Sequence, residues 1–200
     1  MDNFDELKMT WAAALMKTLG TMNEGNQELL LATMTQMCQP LHKKLKAAYD
    51  TSPNTAVIVE NIPDFTDYHS LWLTLQLLAA KRSRVSTNPE VRASTLLEES
   101  AAAIRLIAND LVKIFYGNKR WTATEMNIDE AAIVCSGLAL VKLENEKFIS
   151  DLGDIIRHKI NDAEGTDFIL LAKGSHYMRN FKHTKDVYAL VHARAMTKLG

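Results

Sequence analysis

Eight glycines and four prolines are the only strong turn-formers in this 200-residue chain, and the glycines stand singly. A sandwich or loop-rich fold needs many more positions that tolerate tight turns, so the chain is restricted to long elements. The apolar residues show which kind. Phe4, Leu7, Trp11, Leu15, Leu19 and Met22 recur at spacings of three and four, and Leu30, Met34, Met37, Leu41 and Leu45 repeat the pattern after a turn at residues 23–26. Such spacing lines one face of an α-helix. The expected fold class is therefore all-α.

Punctuation divides the chain further. The second helix is capped by Asn26, bent at Pro40 and ends near Tyr49. Residues 50–64 hold Pro53, Pro63 and the one β-like run, Ala56 to Val59, and read as a connecting loop. A third helix spans about Thr66 to Lys81, closed by Lys81-Arg82-Ser83-Arg84 with positive charge suited to a helix C-terminus. The fourth starts at Asn88-Pro89-Glu90, a cap followed by proline at the first helical position, and stops at Tyr116. After a short connection come four helices, about Ile128 to Leu143, Glu146 to Ile160, Thr166 to Asn180 and Lys185 to Leu199. Their connections are so short that consecutive helices must be antiparallel neighbours. The organisation expected is an N-terminal helix pair (1–49), the loop (50–64), a second pair (65–116), a linker (117–126) and two helical-repeat pairs (127–200), with Leu138, Leu143, Leu152, Ile156, Leu171 and Leu190 buried between layers.

The later helices also resemble one another. Glu130 to Glu144 laid over Asp186 to Gly200 without gaps aligns acid with acid, Ala139 with Ala195, Leu140 with Met196 and Leu143 with Leu199. The first helix fits the frame with Glu6 on the acid and Leu19-Gly20 at the end. Asp167 to Phe181 fits with Ala172-Lys173-Gly174 over Cys135-Ser136-Gly137, its acid 37 residues after Glu130. A two-helix repeat of that length predicts antiparallel helix-pair repeats forming a short α-solenoid.

The segment from Ile128 to Leu199, with Phe148-Ile149-Ser150-Asp151-Leu152 and Ala172-Lys173-Gly174 carrying the likeness, resembles the heptatricopeptide and octotricopeptide arrays of FASTK-like and RAP-domain proteins. The resemblance implies a mitochondrial ribonucleoprotein, such as a mitoribosome component or an RNA-processing factor, with RNA and neighbouring proteins as partners. Two departures stand against a full transfer: residues 50–64 and the long fourth helix break the repeat spacing, and no RAP domain follows Gly200. The chain reads as part of a longer protein or of a larger assembly. Its first residues, Met1-Asp2-Asn3-Phe4-Asp5-Glu6, are acidic where a leader is basic. The expectation is a mitochondrial chain lacking its presequence, or a cytoplasmic one.

Composition narrows the chemistry. A net charge of −1 gives no overall basic field, so any RNA contact must be local. No apolar run is long enough to predict a membrane span. Cys38 and Cys135 lie far apart in apolar helical patterns and read as buried reduced thiols. Phosphate loops, HExxH and GxSxG are missing, and Glu98 and Glu99 are adjacent and so face different ways on a helix. His176, His183 and His192 form no ligand pair with an acid partner. No enzyme, cofactor or metal is expected.

The one asymmetry is in charge. Residues 151–200 hold eight Lys or Arg against six acids and four of the six histidines, whereas residues 1–150 hold 15 against 18. Arg157, Lys159, Lys173, Arg179, Lys182 and Lys185, interleaved with Tyr177 and Tyr188, are the candidate RNA-binding residues, suited to neutralising and stacking a single strand. The same cations suit helix C-termini in a solvated surface. The alternative function is a protein-binding helical scaffold without RNA contact, for which nine methionines supply adaptable apolar surface.

Overall fold

The computed structural model describes residues 27–50, 68–87, 95–117 and 126–199. It divides into two compact units, Met1–Asn118 and Lys119–Gly200, the division falling within the stretch read as the linker. Among the described residues there are seven α-helices, two 3-10 turns and no strand. The first expected helix, the 50–64 loop with its β-like run, and the Asn88-Pro89-Glu90 start lie outside the described residues.

In the first unit, α1 (Gln27–Asp50), α2 (Tyr68–Val85) and α3 (Thr95–Gly117) share a core. Leu31, Met34, Cys38, Leu41 and Leu45 form an uninterrupted buried stripe on α1, and the helix continues through Pro40. The stripe packs chiefly on α3, where Ile104, Ile107, Ala108, Leu111 and Ile114 are buried, while Trp72, Leu75 and Leu78 complete the core from α2. α2 closes as expected on the positive run, with Arg82 and Arg84 in its last turn. Arg82 Nε donates to the Leu97 carbonyl at 3.0 Å, tying that end to the start of α3.

The second unit consists of α4 (Ile128–Val141), α5 (Glu146–Lys159), α6 (Thr166–Met178) and α7 (Lys185–Leu199), with 3-10 turns at Ile160–Asp162 and Lys182–Thr184. Side chains fix the starts of the first two. Asn127 N donates to Glu130 Oε2 at 3.1 Å, and Asn145 Oδ1 accepts from Phe148 N at 3.0 Å. α4 ends on Lys142 in the left-handed region, φ 56°, whose N–H donates to the Leu138 carbonyl. At the far end Lys198 Nζ donates to the Asn161 and Ala163 carbonyls, closing the turn after α5.

α4 is the central helix. Ala131, Ala132, Val134, Cys135, Ser136, Gly137 and Leu138 are all buried, so it has no broad polar face. It packs most extensively on α6 and also on α5; α7 lies on α6 and touches α5. Two glycines allow the tightest approaches. A Cβ at Gly174 would overlap Cys135 Sγ, and one at Gly153 would stand 2.6 Å from Thr184 Cγ2. Leu138, Leu143, Leu152, Ile156 and Leu171 are buried as expected, while Leu190 is only half-buried.

Candidate nucleic-acid interface

The α4–α6 approach creates a groove on the second unit. Burial of Phe168, Leu171, Gly174, Ser175 and Met178 turns the opposite face of α6 outward, bringing Ala172, Lys173, His176, Tyr177 and, just past its end, Asn180 into one row. Ala139 and Leu140 of α4 and Tyr188 of α7 supply the remaining wall of a cavity of about 630 Å³. The small side chains of Ala139 and Ala172 leave the space open. This volume suits a small organic ligand or a nucleotide-sized group.

The groove is aromatic and carries positive charge. His176 meets Tyr188 edge-on with ring centroids 5.7 Å apart, and Arg179 Cζ lies 5.8 Å from the Tyr188 ring centre. Tyr177 packs against Phe181 at 5.4 Å. Its hydroxyl oxygen is buried and has no hydrogen-bond partner. Burial, followed by the nearby Glu144 carboxylate, pushes the Tyr177 phenol up from its ordinary value, so it stays neutral and can both donate and accept.

The six cations named from the sequence separate into three groups. Lys173 lines the groove and Arg179 stands over one of its rings, both exposed. Lys182 and Lys185 are exposed on the 3-10 turn and first residue of α7. Arg157 and Lys159 are engaged elsewhere. Arg157 binds Asp186 through both Nε (2.8 Å) and Nη2 (2.6 Å), Asp154 through Nη1 (2.6 Å) and the His183 carbonyl through Nη2 (2.6 Å). The Asp186 hydrogen bond leads in raising the Arg157 guanidinium above its ordinary value, and the same bond holds the Asp186 carboxyl below its own. Lys159 Nζ donates to the Met126 carbonyl at 2.7 Å.

His176, Asn180, Ala139, Leu140 and Ala172 belong to the groove without having been singled out as site residues. The Lys173–Tyr177 and His176–Asn180 spacings were the available signal, each pair being neighbours on one helical face. In the first unit, His42 Nδ1 lies 2.6 Å from Asp110 Oδ2, a carboxylate with 0% side-chain exposure. Cys38 precedes His42 by one turn, a nucleophile-base-acid set by residue type. Burial pushes the Cys38 thiol up to about 12, so it is protonated at neutral pH and is no thiolate nucleophile. Cys135 is likewise pushed up to about 12 by burial. Among the described residues no three metal-ligating side chains gather, and no helix is long and apolar enough to cross a membrane.

No family model matches the chain, and comparisons with curated proteins and with solved structures find no similar protein. The groove's own geometry therefore carries the functional argument.

Proposed function

We propose that this is a helical-repeat RNA-binding protein of a ribonucleoprotein, holding single-stranded RNA in the α4–α6–α7 groove of its second unit. The observation that carries this reading is the gathering of Lys173 and Arg179 with Tyr177, Tyr188 and His176 around one cavity. Stacking on an aromatic ring contributes about 1–3 kcal/mol per base whatever the sequence, and the cations supply the salt-sensitive remainder. Support for stacked repeats comes from the helix neighbours: α4 lies on α6 and α5 touches α7, each helix meeting its counterpart in the next pair. A mitochondrial site of action follows from the resemblance of residues 128–199 to organellar repeat proteins.

The test is anisotropy with labelled single-stranded RNA at rising salt. Neutralising two phosphates with Lys173 and Arg179 gives a slope near −1.4, about a sevenfold loss between 50 and 200 mM salt; adding Lys182 and Lys185 makes it about fiftyfold. Lys173→Glu with Arg179→Glu should weaken all sequences alike, because phosphate contacts position without specifying. Arg157→Ala should leave the slope unchanged, since that guanidinium is already paired. No binding at 50 mM salt would overturn the reading. Exposed Leu140, Ile169 and Met196 favour a second reading, a protein-binding scaffold, under which partners survive nuclease and are lost on charging Ile169.

A further inference from the structure

We propose that His176 is a third phosphate contact of the groove, made when its imidazole carries a proton, so that RNA binding strengthens as the pH falls from about 8 to about 5.5. This rests on the RNA reading above and adds to it the proton dependence of the same site.

Three observations carry it. His176 is exposed and lines the cavity, so both a ligand and solvent protons reach it. It also stands between the two cations already assigned to phosphates: Lys173 precedes it by three residues and Arg179 follows it by three, a row of about 9 Å along α6 and its end. A strand reaching from one to the other passes the imidazole. Among the described residues no carboxylate lines the cavity, so a charge placed there is left for an incoming anion.

The groups around the ring set the sign. On its own helix these are Lys173 and Tyr177, with Arg179 just past the end. From α7 Tyr188 meets it edge-on with centroids 5.7 Å apart, and Lys185 and His192 stand exposed about one turn to either side of that tyrosine. From α4 only Ala139 and Leu140 reach the cavity, and neither is charged. Glu144, whose charge acts on the Tyr177 phenol, is not in the lining. Imidazole is the side chain that ordinarily changes charge between about pH 5 and 8. A phosphate beside it favours the charged form, and by linkage the charged form favours the phosphate, so binding takes up a proton and affinity falls as the pH rises.

The experiment follows anisotropy of a labelled uridine octamer, whose bases do not titrate in this range, with the whole chain at 50 and 200 mM salt and at pH 5.5 and pH 8. One more neutralised phosphate on a single strand steepens the salt slope by about 0.7, which between 1 M and 50 mM salt amounts to about eightfold in affinity. At 50 mM salt the octamer should therefore bind about eightfold more tightly at pH 5.5 than at pH 8, with the steeper slope at pH 5.5. His176→Gln should bring that ratio close to one and abolish the difference in slope. His176→Lys, charged at both pH values, should also bring the ratio close to one while keeping the steeper slope throughout. His192→Gln should keep the full ratio. A ratio near one in the unaltered protein, a ratio that survives His176→Gln, or one lost equally in His192→Gln overturns this inference and leaves the RNA reading standing. Failure of the octamer to bind at either pH overturns both.

Discussion

Gly174→Ala should destabilise the second unit, against the usual direction for glycine in a helix. In an ordinary helix interior the exchange stabilises by about 1 kcal/mol, because alanine loses less backbone entropy on folding. At Gly174 the new Cβ would overlap Cys135 Sγ and stand 2.6 Å from the Cys135 carbonyl carbon and oxygen. Carbon atoms rest at about 3.5–4.0 Å, so α4 and α6 must separate by about 1 Å. Overpacking costs about 1–3 kcal/mol, and a main-chain obstacle places this case at about 3. The balance is a loss of about 2 kcal/mol, or a fall in melting temperature of about 8–16 °C for a unit of this size. Far-UV circular dichroism during urea and thermal unfolding of the whole chain measures it. Cys135→Ala in the same chain removes the sulfur and leaves the carbonyl in place, so it should restore only part of the loss. A stabilised Gly174→Ala variant, or full rescue by Cys135→Ala, would refute the close approach. Because Ala139 and Leu140 of α4 line the groove together with Ala172 and Lys173 of α6, the separation should also weaken RNA binding.

The Gly153 contact is side chain to side chain, so Gly153→Ala should be rescued by Thr184→Ser, which removes the methyl and keeps the hydroxyl that donates to the Met178 carbonyl at 2.7 Å; a double-mutant cycle should show about 1 kcal/mol of coupling. His42→Ala should cost about 1–3 kcal/mol in a urea melt, since it removes the 2.6 Å bond of a buried carboxylate that keeps Lys113 at 3.9 Å. Asp186 is held below its ordinary value, so its pairing with Arg157 stabilises fully above about pH 4, the unfolded carboxyl value, and fades as the pH falls through the folded one. The pair is exposed and contributes up to about 1 kcal/mol; melting curves of the protein and Asp186→Asn should differ at pH 7 and converge by pH 2.

Helix type and helix starts were legible because they are local. The Asn127–Glu130 and Asn145–Phe148 caps are set within three residues, and α1's buried stripe is visible in spacing alone. The end of α2 was legible in the run Lys81-Arg82-Ser83-Arg84, which falls in its last turn, whereas the bond from Arg82 to a carbonyl 15 residues on was not. The candidate site was half legible for the same reason. Lys173, Tyr177 and Arg179 share one helix and its end, so periodicity places them together. Arg157 has the same appearance in the sequence as Lys173, yet its fate depends on Asp186, 29 residues away, and the His42–Asp110 pair spans 68. Pairings of that range depend on how helices cross, which small residues such as Gly174 signal without specifying.

Tyr177 links stability to function in a way one substitution can separate. A buried hydroxyl without a partner has lost its water and gained nothing, a deficit of about 1–3 kcal/mol. Phenylalanine fills the same space without that deficit, so Tyr177→Phe should raise the melting temperature of the free protein by several degrees, about 1 kcal/mol. Phenylalanine keeps the ring in the wall of the groove, so the RNA affinity of Tyr177→Phe at 50 mM salt should stay within about twofold of the protein's while the melting temperature rises. A phenylalanine variant no more stable than the protein in the absence of RNA would mean that the hydroxyl is already satisfied.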